Sequence, residues 1–169
     1  MRLAPLFVLL VSCGSEEVAP DGIWKVTLSN QDVECQEVER HTSLSTDELC
    51  GSDCSGEVPS INQTLRYEVF FDGDNAEIKV DGQTFATGVL EGCALSYESP
   101  VWLEERSDGD IQWSVVGHET EVQAKVDCGL PKGVDWIGYE EIQILESEDD
   151  SLEAGCSYRV AAVGEYVDQ

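Results

Sequence analysis

The chain has 169 residues and a formal net charge of −26 at pH 7, with 35 acidic residues against 9 basic ones. This charge excludes nucleic acid and anionic lipid headgroups as partners, because it repels both. Hydrophobic residues make up 41% of the chain, and four tryptophans, five tyrosines and four phenylalanines are among them, which excludes a disordered acidic chain. The length is that of one folded domain, here with a strongly acidic surface.

The first thirteen residues are typical of a targeting segment. Arg2 precedes an apolar run that is too short to cross a bilayer as a helix, which takes about 20 residues. The run ends in Leu10-Val11-Ser12-Cys13, which resembles the lipobox of bacterial lipoprotein signal peptides. The resemblance implies cleavage before Cys13 and a diacylglycerol thioether on its sulfur, with acyl chains such as palmitate. The alternative is an ordinary secretory signal that leaves Cys13 for a disulfide.

The same resemblance implies a signal peptide (residues 1–12) and a lipidated tether (13–21), and the alternation of the following residues predicts a β-barrel domain (22–169). Several acyl chains on one residue anchor a protein stably, so the membrane is a partner through the lipid. In enterobacterial lipoproteins an aspartate after the lipidated cysteine signals inner-membrane retention, whereas this chain has Gly14. The resemblance therefore implies the bacterial cell envelope and its outer membrane. Which membrane face carries the protein stays open.

From residue 22 onward, apolar and polar residues alternate with period two, the pattern of half-buried antiparallel strands. Turn pairs such as Asp72-Gly73, Asp81-Gly82 and Asp108-Gly109 separate the alternating segments. The pattern predicts an all-β antiparallel meander of about nine strands that forms a closed or partly open barrel. The predicted strands cover residues 22–28, 65–71, 76–80, 85–89, 93–103, 111–115, 122–126, 141–144 and 156–162.

Gly22-Ile23-Trp24, on the first predicted strand, resembles the Gly-x-Trp signature of lipocalins and related calycin barrels. The resemblance implies a calycin-like barrel with Trp24 at its closed end. No Thr-Asp-Tyr motif follows, and Arg159 only partly replaces the conserved arginine of the last strand. Another β-barrel or a β-sandwich therefore stays open.

With Cys13 assigned to lipid, six cysteines remain, and an even number in an exported chain predicts three disulfides. Cys93 and Cys156 begin the predicted fifth and ninth strands, which places both at the end of the barrel opposite the end of the first strand. We therefore expect a Cys93–Cys156 disulfide. One bridge is expected between Cys128 and the long Cys-rich loop of residues 29–63. The pairing stays open among Cys35, Cys50, Cys54 and Cys128.

Large aromatic residues occupy the inward positions of the predicted strands. In a hollow barrel, four of them would line a pocket for a small apolar ligand: Trp24, Tyr67, Tyr97 and Trp113. The favoured alternative is that they fill a solid core together with Phe71, Phe85 and Tyr158. The first interpretation predicts a lipid-anchored binding module. The second predicts a surface protein-interaction or inhibitor domain that acts on a protein partner through the loop of residues 29–63.

The sequence holds no recognisable catalytic motif, so neither enzymatic activity nor a cofactor is expected. Its two histidines, His41 and His118, lie in a predicted loop and a predicted turn. The adjacent pair Glu140-Glu141 points to opposite faces of a strand and cannot act as a carboxylate dyad. Cys35, Cys50 and Cys54, with His41 nearby, are interpreted as disulfide cysteines rather than zinc ligands, and no metal site is expected.

Overall fold

The computed structural model of the chain describes residues 20–30, 61–107, 109–148 and 154–167. All regular secondary structure in these ranges is β-strand, and no helix there has the length and apolarity to cross a membrane. The nine strands are β1 (Gly22–Ser29), β2 (Asn62–Asp72), β3 (Asn75–Val80), β4 (Gln83–Glu91), β5 (Ala94–Glu98), β6 (Trp102–Glu104), β7 (Ile111–Val122), β8 (Trp136–Ser147) and β9 (Ser157–Tyr166).

The strands form one antiparallel sheet in the order β5-β4-β3-β2-β1-β9-β8-β7-β6, and a further pairing of β5 with β7 closes it. Eight strands therefore make a closed barrel, while β6 stays outside and pairs only with the first residues of β7. This confirms the predicted all-β fold, its meander and its closure. Closure leaves the eight barrel strands without a free edge.

Two predicted hairpin turns join consecutive strands of the barrel. Gly73 lies between β2 and β3 with φ +62°, and Asp81-Gly82 joins β3 to β4 with φ values of +51° and +75°. Positive φ is what a tight hairpin requires, and glycine adopts it without a steric penalty. The turn chemistry therefore fixes the pairing register of the first half of the barrel.

The predicted strands 111–115 and 122–126 are not separate. They belong to the single strand β7, and Gly117-His118 lies inside it rather than in a turn. The prediction was wrong because glycine at this position serves side-chain packing, as described below. The predicted fifth strand, residues 93–103, is instead divided into β5 and β6. The two errors leave the strand count at nine, and the first of them changes which strand ends meet.

We call the end of the barrel where β1 ends and β2 and β9 begin the upper end, and the opposite end the lower end. Cys93, just before β5, and Cys128, beyond β7, both lie at the lower end. They form a disulfide with a Cα–Cα distance of 5.8 Å. Cys93 O also accepts a 2.9 Å hydrogen bond from Val122 N, which holds the two strand ends together.

The expected Cys93–Cys156 bridge is therefore wrong, and so is the expected link from Cys128 to the long loop. Because β7 is one strand, Cys128 moves to the lower end and Cys156, at the start of β9, moves to the upper end. Cys156 is also disulfide-bonded. The lipobox, Cys13, Cys35, Cys50 and Cys54 lie outside the described residues, so their predicted roles stay predictions.

A layer of aromatic side chains fills the lower half of the barrel interior. The ring of Trp136 lies at its centre, with centroid distances of 6.0 Å to Trp24, 5.4 Å to Tyr67 and 6.0 Å to Tyr97. All four side chains are buried. Tilted and edge-on contacts of this kind contribute beyond the burial of apolar area. The lower half of the interior is thus a packed core.

A second, smaller cluster lies on the outer face of the barrel. Ile137, Tyr139 and Ala161 are buried there under Leu130 and Val134 from the segment between β7 and β8. The outward positions Ile137 and Tyr139 in the first half of β8 are therefore buried as well as the inward ones. This explains why strict alternation was visible over only part of this strand.

Candidate functional site

Above the aromatic layer, at the upper end of the barrel, the interior opens into a pocket of about 170 Å³. Its walls are mostly apolar because inward positions of most barrel strands meet here. The apolar wall residues include Leu28, Leu65, Phe85, Trp113, Ile142 and Tyr158. We call this cavity the upper pocket.

The floor of the upper pocket is formed by Glu140. On β8 the inward positions Glu140, Ile142 and Ile144 all line the pocket, and Glu140 is the deepest of the three. Trp136 lies four residues before Glu140 on the same strand and the same inward face, and it belongs to the aromatic layer. Glu140 is 1% exposed, which makes it an ionisable side chain in the centre of the barrel.

Two tyrosines hold one oxygen of this carboxyl group. Tyr67 Oη donates to Glu140 Oε1 at 2.6 Å, and Tyr97 Oη donates to the same oxygen at 2.8 Å. The second oxygen, Oε2, is buried and has no hydrogen-bond partner. Buried polar atoms almost always have partners, so an unpartnered one facing a cavity calls for an explanation.

The sheet register explains how Tyr97 reaches this carboxyl group. Tyr97 on β5 lies opposite Gly117 on β7, and Gly117 lies opposite Glu140 on β8. A Cβ on Gly117 would lie 2.1 Å from Tyr97 Cε1, so only glycine leaves room for the ring. Gly88, the partner of Tyr97 on β4, is also tightly packed, since a Cβ there would lie 2.2 Å from Ser96 O and 2.7 Å from Tyr97 Cβ.

An irregularity in β7 supplies a further polar contact. The register shifts between His118 and Glu121, and Glu119 has φ +43°. The extra residue turns Thr120 into the barrel, where it is buried and interacts with the Tyr97 hydroxyl. Bulges commonly redirect a side chain next to a functional site.

Burial determines the electrostatics of this group. Burial raises the pKa of Glu140, and the hydrogen bonds from Tyr67 and Tyr97 oppose that rise. Burial, followed by the charge of Glu140, raises the pKa of both tyrosines well above 10.0. The tyrosines therefore remain neutral hydrogen-bond donors. Among the described residues no cation forms an ion pair with Glu140.

At the mouth of the upper pocket, Glu104 at the end of β6 forms an ion pair with Arg106. Arg106 Nε donates to Glu104 Oε1 at 2.7 Å, and both residues line the pocket. Both side chains are exposed, so the pair adds little stability. Its position instead gives the pocket a polar rim above apolar walls.

The four residues predicted to line a ligand site are thus divided. Trp113 lines the upper pocket, whereas Tyr67 and Tyr97 lie beneath it and hold Glu140. Trp24 is packed in the aromatic layer further down. Sequence reasoning missed Glu140, although its parity with Trp136 and Ile142 placed it on the inward row.

A wider depression, of about 560 Å³, lies at the lower end. Its polar groups are already bonded within the protein. Asp21 Oδ2 accepts from Phe71 N at 2.6 Å, and Asp135 Oδ2 accepts from Tyr166 N at 2.9 Å. Lys125 Nζ donates to the carbonyl of Gly73 at 2.5 Å. The upper pocket, with its unpartnered oxygen, is therefore the better candidate site.

In the part of the chain that the structure describes, no group of three or more His, Cys, Asp or Glu side chains is arranged to hold a metal ion. Comparison with known protein families, curated proteins and solved structures finds no match for this chain. The likeness of Gly22-Ile23-Trp24 to the lipocalin signature stays a resemblance over three residues.

Proposed function

We propose that the protein is a lipid-anchored binding module of the bacterial envelope, which takes a small apolar ligand into the upper pocket. The observation that carries this proposal is the pocket itself, an apolar cavity in a closed barrel that ends on a buried, half-satisfied carboxyl group. Binding sites of small molecules commonly combine apolar walls with a few polar groups that fix orientation.

The size of the pocket limits the ligand. An apolar cavity of about 150 Å³ accepts one benzene molecule. At about 170 Å³, the upper pocket suits one ring or a short branched chain, while longer ligands would extend through the mouth. The packed aromatic layer below allows no deeper insertion.

The lipid anchor rests on the sequence. Leu10-Val11-Ser12-Cys13 resembles a lipobox, and the tether that follows is acidic. An anchor at the N-terminus of β1 would leave the barrel outside the bilayer, so that a ligand reaches the pocket from the aqueous side.

The alternative from the sequence was a packed domain acting on a protein partner through residues 29–63. Residues 31–60 lie outside the described residues. Since the interior is packed in its lower half and open above, the ligand-binding proposal has the more specific support. The test below also separates the two.

Calorimetric titration of the purified protein with toluene tests the proposal. A ring of this size should bind with a Kd of about 0.1 to 1 mM, because the apolar walls remove it from water. A substitution that fills the pocket, Leu65→Trp, should abolish the binding. Leu103→Trp is the matched control, since Leu103 is 61% exposed on β6 and should leave the Kd unchanged.

Absence of binding to the wild-type protein would contradict the proposal and favour the protein-partner alternative. Equal binding to the two variants would place the toluene outside the upper pocket.

A further inference from the structure

The geometry points to a protonated amine as the polar group of the ligand, paired with Glu140 Oε2 at the floor of the upper pocket. This inference rests on the proposed function and specifies its ligand class. It begins from the different surroundings of the two carboxyl oxygens. Oε1 accepts from Tyr67 and Tyr97, and Oε2 has no partner.

The hydrogen bonds from the two tyrosines indicate what kind of partner Glu140 Oε2 lacks. Both tyrosines donate a hydrogen bond to Oε1, which favours the ionised carboxylate and opposes the rise in the pKa of Glu140 that burial causes. An ionised carboxylate only accepts hydrogen bonds, so its partner must be a donor. A cationic donor forms a charge-assisted bond and also compensates the buried negative charge. An ammonium group meets both requirements, whereas a hydroxyl meets only the first.

Anionic ligands are disfavoured on the same grounds. A carboxylate placed at the floor would face Glu140, whereas Arg106, the cation among the described lining residues, lies at the mouth and already pairs with Glu104. The net charge of −26 acts in the same direction at long range, since it draws cations toward the protein and repels anions. A fatty acid is therefore a poor candidate for binding with its carboxylate at the floor, despite the apolar walls.

The pocket has the proportions of a small amphiphilic amine. Its walls from Leu28, Leu65 and Ile142 remove an apolar body from water, while Glu140 lies at the far end from the mouth. The ligand would enter amine first, and its apolar body would lie between the floor and the rim pair Glu104–Arg106. A single ring joined to an amine by one carbon fills about this volume.

The test compares four probes that share one ring: benzylamine, benzyl alcohol, toluene and benzoate. Calorimetric titration of the purified protein at neutral pH should give benzylamine the tightest binding, about tenfold or more tighter than toluene, and benzoate the weakest. Glu140→Gln should remove the preference of benzylamine over toluene. Glu141→Gln is the matched control, because Glu141 is the neighbouring residue on the outer face, where it pairs with Arg159.

The outcomes separate the inference from the function on which it rests. If toluene binds, but benzylamine binds no more tightly than toluene or no more tightly than benzyl alcohol, the amine is overturned while the binding function stands. Persistence of the amine preference in Glu140→Gln overturns the role of Glu140. If no probe binds, the proposed function fails and the inference fails with it.

A second measurement needs no variant, in case Glu140→Gln does not fold. The ratio of benzylamine to toluene affinity in the wild-type protein should fall as the pH is lowered from about 8 to about 4, because protonated Glu140 cannot pair with an ammonium. The charged and titratable groups around Glu140 are Tyr67 and Tyr97, with Glu104, Arg106 and Tyr158 nearer the mouth. A ratio that does not change with pH would overturn the inference.

Discussion

The ring of Tyr97 occupies the space in which a side chain at Gly117 would begin, since a Cβ there would lie 2.1 Å from Tyr97 Cε1. Gly117 is also the cross-strand partner of Glu140. One glycine thus allows a tyrosine from the strand on one side to reach a carboxyl group on the other. The candidate site depends on this spacing as much as on the polar groups themselves.

Gly117→Ala should destabilise the fold by about 1–3 kcal/mol, because the added methyl group overlaps the Tyr97 ring. Urea unfolding measures the change in free energy. The matched comparison is the same substitution in a Tyr97→Leu background, where the ring is absent and the cost of the added methyl group should shrink. An equal cost in both backgrounds would show that the ring is not the obstacle.

Tyr67→Phe should lower the free energy of unfolding by about 1–3 kcal/mol, since one of the two donors to Glu140 Oε1 is lost inside the barrel. Tyr166→Phe is the control, because Tyr166 is 43% exposed at the lower end. The comparison is made by urea unfolding at neutral pH. Equal stability of the two variants would argue against a structural role for the Tyr67–Glu140 bond.

The raised pKa of Glu140 predicts a particular pH dependence of stability. Between its ordinary pKa of 4.5 and the raised folded value, the folded state binds more protons than the unfolded state. The contribution of Glu140 to stability is therefore fully present below pH 4.5 and is lost as the pH rises through the folded pKa. Glu140→Gln has no titrating group at this position. Its free energy of unfolding, relative to that of the wild type, should therefore rise as the pH rises.

This prediction is read as the difference in unfolding free energy between Glu140→Gln and wild type, because the other acidic residues titrate alike in both. The same difference for Glu141→Gln provides the control. A difference for Glu140→Gln that stays constant across the pH range would contradict the raised pKa.

Replacing both Cys93 and Cys128 by serine should lower stability by about 2–4 kcal/mol, because the disulfide closes a loop across 35 positions of the sequence. Peptide mapping under non-reducing conditions should recover a peptide that joins Cys93 to Cys128. A peptide that joins Cys93 to Cys156 would instead support the pairing expected from the sequence and contradict the structure.

Cys13→Ala should abolish incorporation of labelled palmitate and release the protein from membranes, if the Leu10-Val11-Ser12-Cys13 segment acts as a lipobox. Ser15→Ala, two residues further on in the tether, is the control and should keep the label. Label that persists in Cys13→Ala would contradict lipidation at this cysteine.

The fold was predictable where one face of each strand is buried and the other exposed. Alternation and the turns at Gly73 and Gly82 identified the first barrel strands and the meander. The prediction failed where both faces of β8 are buried, because Ile137 and Tyr139 pack on the outer face and hide the period of two. It also failed at Gly117, because glycine marks turns and close packing alike.

The cysteine pairing was predicted wrongly because of the same residue, Gly117. Interpreting Gly117 as a turn added one hairpin, and each extra hairpin moves all later strand ends to the opposite end of the barrel. Cys128 and Cys156 were therefore placed at the wrong ends. Glu140 was missed for another reason, since the predicted eighth strand began at residue 141 and glutamates are rarely fully buried.

The most direct test of the account is a titration of the isotope-labelled protein with benzylamine, followed by backbone and indole NMR shifts. Binding in the upper pocket should give saturable shifts around Glu140, Trp113 and Ile142, with none at the lower depression near Lys125 and Asp135. Shifts confined to the lower end, or none at high ligand concentration, would contradict a ligand site in the upper half of the barrel.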